Sequence, residues 1–199
     1  MTAVIQAKRQ VLATVASQVT DYPKTARLAN ALAKNFKSTV VDSLERTKNL
    51  AYQLYVQDRP DLCLQVCQLL NDLVFTNNYN IWTWVELTLA LEWKLQTQAG
   101  ELTQAQRCAA ILRSTYELGD TVAQAQGAKN LAWRVNGGLL YDAQIAQAEQ
   151  RGDTTAEKSY RQLQLGALLC IQALGGSATL PLPELERQLV FQLAKLRNT

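Results

Sequence analysis

"NLAYQLYVQDRPDLCLQVCQLL", residues 49–70, indicates the fold class because it contains the end of one helix, a turn and a second helix. Pro60 suits the first turn of the second helix, where its missing N–H removes no hydrogen bond. Asp58 is the expected cap, since a carboxylate accepts from the N–H groups at a helix start. We predict one helix from Thr39 to about Gln57 and another from Pro60 to about Phe75.

The same helical periodicity covers the rest of the chain, and no run of alternating residues indicates a strand. Only four prolines and nine glycines interrupt it. Helix caps are expected at Thr39 with Asp42, at Asn80, and at Thr154 with Glu157. The remaining helices are predicted at 2–19, 24–36, 81–99, 102–118, 121–135, 139–151, 154–174 and 183–196.

We therefore expect an all-α fold of about nine or ten helices, in which short turns make neighbouring helices antiparallel. Its length suits a single domain over residues 1–199. Within it, 1–37 would hold basic N-terminal helices and 38–199 stacked helix pairs.

The composition predicts a soluble, cytoplasmic protein. No stretch approaches the roughly 20 apolar residues that cross a bilayer. Lys8 and Arg9 interrupt the first apolar segment, so it does not resemble a signal peptide. The four cysteines are expected to be buried, reduced thiols, because no histidine and no second close pair complete a metal site. They are Cys63, Cys67, Cys108 and Cys170.

Positive charge is concentrated near the N-terminus. Residues 1–59 hold nine Lys or Arg and four acids, whereas the remaining residues hold eleven and thirteen. A basic N-terminal third could meet an acidic partner or nucleic acid. Its charges are scattered, which is also typical of an ordinary solvated helix face. Without a recognisable nucleic-acid-reading motif, nucleic acid remains the alternative partner.

The sequence lacks the residues of the common catalytic sites. It contains no histidine, which excludes histidine-based triads and zinc-protease motifs. The close acid pairs, Asp42 with Glu45 and Asp58 with Asp61, fall at predicted helix starts, where acids complement the helix dipole. We therefore expect no enzyme activity, no cofactor and no metal, although a lone acid or base could serve a small helical enzyme.

Residues 49–70 also resemble one tetratricopeptide-repeat unit. Leu50, Ala51 and Leu54 match the apolar and small positions of the unit's first helix. Cys63, Cys67 and Leu70 match those of its second helix. Residues 149–163 resemble the turn and second helix more loosely, and no unit carries the family's tryptophan, glycine and proline together. The resemblance implies a short, degenerate α-solenoid that binds another protein.

The tryptophan-rich stretch "NIWTWVELTLALEWKL", residues 80–95, is expected to form a helix with two apolar faces. On a helical wheel, Trp84 shares one face with Leu87, Leu91 and Leu95, which we assign to the core. Trp82, Glu86, Leu89 and Trp93 share the opposite face. Two apolar faces indicate either a helix packed on both sides or a helix that offers one face to a partner.

If a partner binds, the second face of this helix is the first candidate surface. The tetratricopeptide resemblance adds the groove-facing positions of the 39–57 helix. The candidate partner-binding residues are Trp82, Glu86, Leu89, Trp93, Glu45, Lys48, Tyr52 and Tyr55. Small bacterial proteins of this build resemble adaptors, chaperones and immunity proteins, so the expected partner is a toxin, a client or a complex subunit. The oligomeric state stays open.

Overall fold

The computed structural model of the chain describes residues 3–76, 78–114, 141–175 and 182–198. Across these ranges the backbone is helical with short turns and contains no strand, which confirms the all-α prediction. The predicted helix at 121–135 lies outside them. The described helices are α1 (Ala3–Gln18), α2 (Pro23–Asn35), α3 (Val41–Val56), α4 (Pro60–Gln68), α5 (Tyr79–Gln98), α6 (Leu102–Ser114), α7 (141–150), α8 (Thr154–Ala173) and α9 (Leu182–Asn198).

The chain divides into two compact units, Met1–Glu92 and Trp93–Thr199. In the first unit, α1 packs against α2, α2 against α3, and α3 against α4. In the second unit, α8 packs against both α9 and α6. From α1 to α4, helices that follow each other directly in sequence are thus packed together, as short connections require. The prediction of a single domain stays a prediction.

The α3–α4 hairpin is held together at small side chains. The Cys63 thiol lies against the preceding helix and donates to the Ala51 carbonyl oxygen at 3.2 Å. The short cysteine side chain lets its sulfur reach the backbone of α3 at this distance. The other positions of the repeat-like segment are also buried, namely Leu50, Leu54, Cys67 and Leu70. All four cysteines are buried thiols that form no disulfide, as expected.

The turn between α3 and α4 differs from the prediction. Asp58 does not cap α4, because its φ of 58° places it in the left-handed region inside the turn. Arg59 takes the cap position, without a side-chain capping bond. The helix ends at Gln68 and not at Phe75. Its last turn tightens, since the Leu70 N–H bonds the carbonyl three residues back, on Cys67.

Three other caps also move by one or two residues. Asn78, and not Asn80, supplies the side chain at the start of α5, where its Oδ1 accepts the Asn80 N–H at 3.1 Å. Asp153 caps α8 by accepting the Ala156 N–H at 2.9 Å. An acid at the cap position leaves Glu157 available for a contact in the core. At the start of α3, the predicted Thr39 cap is replaced by Val40, which makes no side-chain capping bond.

A buried arginine links three helices of the second unit. Arg161 on α8 is only 4% exposed. Its guanidinium donates to Glu149 Oε1 on α7 at 2.6 Å and to Glu157 Oε1 on its own helix at 2.8 Å. A third, longer contact reaches Gln192 Oε1 on α9 at 3.3 Å. A planar guanidinium can serve several acceptors at once, so this side chain fixes the positions of its neighbours.

Replacing Arg161 with leucine should lower the free energy of unfolding by roughly 3 kcal/mol, because the change leaves Glu157 and its neighbours without their donor. The measurement is urea unfolding followed by circular dichroism. Arg151→Leu is the matched control, since Arg151 is exposed in the same unit and should change stability by less than about 0.5 kcal/mol. Equal effects of the two substitutions would contradict a structural role for Arg161.

Candidate functional site

Helix α5 is buried on every side in its middle. Each residue from Val85 to Glu92 is buried, including both acids, Glu86 at 0% and Glu92 at 3% exposure. Two apolar faces therefore mean that this helix is covered on both sides. The predicted core leucines Leu87, Leu91 and Leu95 are buried, as expected.

Trp82 lies in an aromatic cluster near the start of α5. Its ring centroid is 5.4 Å from that of Phe75, which is in turn 4.7 Å from that of Tyr79. Both ring pairs are tilted by about 60°, an arrangement that favours edge-to-face contact. Trp82 is only 3% exposed. This side chain is core, and the cluster depends on the non-helical segment after α4.

Glu86 and Leu89 are also removed from the candidate contact surface, since they are 0% and 2% exposed. Instead, the Glu86 carboxylate influences Tyr79. Burial raises the pKa of the Tyr79 phenol above its ordinary value of 10.0, and Glu86 raises it further because a second negative charge nearby is unfavourable.

Lys48, Tyr52 and Trp84 form a second cluster, between α3 and α5. The Lys48 ammonium lies 5.3 Å from the Trp84 ring centroid and 5.9 Å from that of Tyr52, within cation–π range. It also donates to Asn49 Oδ1 at 2.6 Å. The Tyr52 hydroxyl donates to the Leu87 carbonyl oxygen at 2.9 Å. Lys48 and Tyr52 are themselves buried, at 2% and 0% exposure.

Trp84 is more exposed than the sequence predicts. Its position on the leucine face predicts core, yet its side chain is partly exposed. It directly precedes the fully buried middle of α5, and its ring covers the Lys48 ammonium. Within the described residues, its indole N–H has no hydrogen-bond acceptor.

The other predicted contact residues divide between the two units. Glu45 and Tyr55 are partly exposed on α3, on the same side of the helix as Lys48. Trp93 is partly exposed and belongs to the second unit. Of the eight candidate residues, only these three keep accessible side chains. Their role in binding stays a prediction, and Trp84 joins them as the residue that the pattern had assigned to the core.

The basic charge of the first unit is partly used within the fold. Lys8 is 9% exposed and donates to the Leu69 carbonyl oxygen at 2.6 Å and to Asp72 Oδ1 at 2.5 Å. Lys48 is buried under Trp84. In contrast, Lys24, Arg27 and Lys34 are exposed on α2, which carries no acid. The available positive surface is therefore mainly the outer side of α2.

The described residues contain neither a metal-binding cluster nor a helix suited to crossing a membrane. Across those ranges, no group of three or more histidine, cysteine, aspartate or glutamate side chains could hold a metal ion. None of the helices described there is both long and apolar enough to cross a membrane.

Comparison with known proteins places the chain in a family. The model of a family of unknown function, DUF6707, matches residues 2–198, so the chain belongs to that family. Comparison with curated proteins and with solved structures finds no match. The candidate site is therefore inferred from the burial and contacts of this chain's own residues.

The two tryptophans should differ in what their removal does to stability. Trp82→Ala should lower the free energy of unfolding by about 3–5 kcal/mol, because it empties a buried aromatic cluster. Trp84→Ala should have about half that effect or less, since part of its ring already contacts water. Urea unfolding of both variants checks the order. A larger loss for Trp84→Ala would show that the assignment of core and surface is wrong.

Tyr79 should make the protein sensitive to alkaline pH. The raised pKa means that the folded state favours the protonated phenol. The associated stability is therefore present below about pH 10 and lost as the pH rises through the folded-state pKa. Tyr79→Phe removes this titration. The loss of stability between about pH 8 and about pH 11 should be smaller in Tyr79→Phe than in the wild type. Urea unfolding at both pH values measures this loss of stability. Equal losses in Tyr79→Phe and the wild type would contradict the raised pKa of Tyr79.

Proposed function

We propose that this chain is a non-catalytic protein-binding module of tetratricopeptide-like build. The observation that carries the proposal is the position of Trp84. This large aromatic ring stays partly exposed directly before the fully buried segment 85–92 of α5, and it covers a buried lysine. Tryptophan is among the residues that most often dominate the energy of protein interfaces.

The surface around Trp84 has the mixed chemistry that protein partners use. The rings of Trp84 and Tyr55 supply apolar contact area with few rotatable bonds. Glu45 and Asn49 supply polar groups on the adjacent turns of α3, where both are partly exposed. We call this surface, consisting of Glu45, Asn49, Tyr55 and Trp84, the α3–α5 surface.

The helix-hairpin packing of the first unit supports the repeat-like build. Close contact between Ala51 and Cys63 falls at the two small positions on which the resemblance rests. The first helix of such a hairpin usually lines the groove that binds a partner, and here that helix is α3. A toxin neutralised by an immunity protein, a client or a complex subunit remains the proposed kind of partner. The exposed bases of α2 favour a partner with an acidic region.

An affinity pull-down with the tagged chain tests the proposal. Trp84→Ala should lose a protein that the wild type retains, because the substitution removes the largest contact of the α3–α5 surface. Leu102→Ala is the matched control, since Leu102 is also an exposed large side chain, at 61%, and lies in the other unit. Circular dichroism confirms that both variants are folded. Equal retention by Trp84→Ala and the wild type would contradict this surface.

Nucleic-acid binding is the second candidate function, and α2 is the observation that favours it. Lys24, Arg27 and Lys34 are exposed there, all three lie on one side of the helix, and no acid offsets them. For this function, the logarithm of the affinity for RNA or DNA should fall linearly with the logarithm of salt concentration. Replacing the three bases with glutamate should then abolish binding and leave the Trp84-dependent pull-down intact. If the wild type binds no nucleic acid at low salt, this candidate is removed.

A further inference from the structure

Helix α9 has one buried side and one side that faces solvent. Towards the protein it presents Leu185, Leu189, Gln192 and Leu196, all of which are buried. On the opposite side, Val190 and Phe191 are 66% and 53% exposed. These two neighbouring side chains form an apolar area at the middle of the helix, and covering such an area with another apolar surface is favourable.

The two ends of α9 differ in charge. Glu184 and Glu186 lie in the first half together with Arg187, which pairs with Glu184, so one negative charge is left over there. Lys195 and Arg197 lie in the last turn and are both positive. Val190 and Phe191 occupy the midpoint between these acids and bases. Rotation about an axis through this midpoint, perpendicular to the helix, exchanges the acidic half with the basic half. The outward side of α9 is therefore complementary to itself.

From this symmetry we propose that α9 is a homodimer interface, in which it packs antiparallel against α9 of a second copy of the chain. The twofold axis passes between Val190 and Phe191. In such a pair, residues on the same edge of the two helices meet. Phe191 of one copy therefore faces Phe191 of the other, and Val190 faces Val190 of the other copy. By the same geometry, Glu184 of one copy faces Lys195 of the other, and Glu186 faces Arg197.

The contact also has the shape that helix packing requires. Ala194 lies on the line of closest approach, opposite Arg187 of the other copy, so that a small side chain meets a long one. Beside Ala194 is a cavity of about 320 Å³ that is lined by Glu157, Phe191, Ala194, Lys195 and Asn198. This cavity provides space for the Arg187 side chain of the other copy.

The size of the contact sets the expected affinity. A pair of helices of this length buries less than the roughly 1,600 Å² of a standard interface, so the dimer should be weak and reversible. We expect a dissociation constant on the order of 10 to 100 µM. High salt should weaken it, because the four terminal ion pairs are exposed and screened.

Paired charge reversals test the arrangement. One variant carries Glu184→Lys and Glu186→Arg, and the other carries Lys195→Glu and Arg197→Glu. In a homodimer of either variant, like charges meet at all four positions. When the two variants are mixed, every reversed residue meets an opposite charge. Sedimentation equilibrium should therefore show association about tenfold weaker than wild type for each variant alone, and recovery in the mixture.

Two further variants locate the interface. Phe191→Asp should abolish dimerisation, because it places two negative charges against each other at the twofold axis. Val74→Asp is the matched control: Val74 is 80% exposed in the other unit and should leave association unchanged. Circular dichroism verifies that each variant is folded.

Three outcomes would overturn the proposal. The first is a wild type that remains monomeric up to about 500 µM. That result would mean that a second copy of the chain does not cover the α9 surface. The second is unchanged dimerisation of both charge-reversal variants, which would place the interface elsewhere. The third is failure of the mixture to recover. None of these outcomes bears on Trp84 and the α3–α5 surface, so the two proposals can fail separately.

Discussion

Burial of α5 on all sides is the constraint on which the first unit depends. A helix with apolar side chains on two opposite faces is stable in water only if both faces are covered. On one side, Tyr52 of α3 reaches the α5 backbone at Leu87. On the other, the segment after α4 folds back and places Phe75 against Trp82. The early end of α4 follows from this requirement, because a continuous helix to Phe75 could not make the return.

Two acids within the buried part of α5 add an electrostatic requirement. A buried carboxylate needs polar neighbours, since transfer from water to the interior is costly for a charge. Glu92 accepts from the Asn71 side chain at 3.4 Å, and that residue lies in the turn that follows α4. Glu86 lies close enough to Tyr79 to raise the pKa of its phenol. Polar contacts therefore help to position the same non-helical segment that completes the aromatic cluster.

Charged residues in both units serve structural roles that a count of charges does not reveal. Lys8 ties α1 to the end of α4 through Leu69 and Asp72, and Arg161 ties α7, α8 and α9 together. A basic residue that is fully occupied inside the fold contributes little to a binding surface. The positive balance of residues 1–59 thus overstates the charge that a partner would meet. What remains accessible lies mainly on α2.

The sequence by itself determined the all-α class, most helix positions and the breaks at Pro23, Gly100 and Gly152, because periodicity and turn residues act locally. It also placed Leu87, Leu91 and Leu95 in the core. Only the tertiary structure decided which tryptophan is buried. Trp82 and Trp84 both lie on apolar faces, and a helical wheel contains no information about what covers each face. Coverage depends on contacts made by residues outside the helix, such as Phe75 with Trp82 across the turn, and Lys48 of α3 with Trp84.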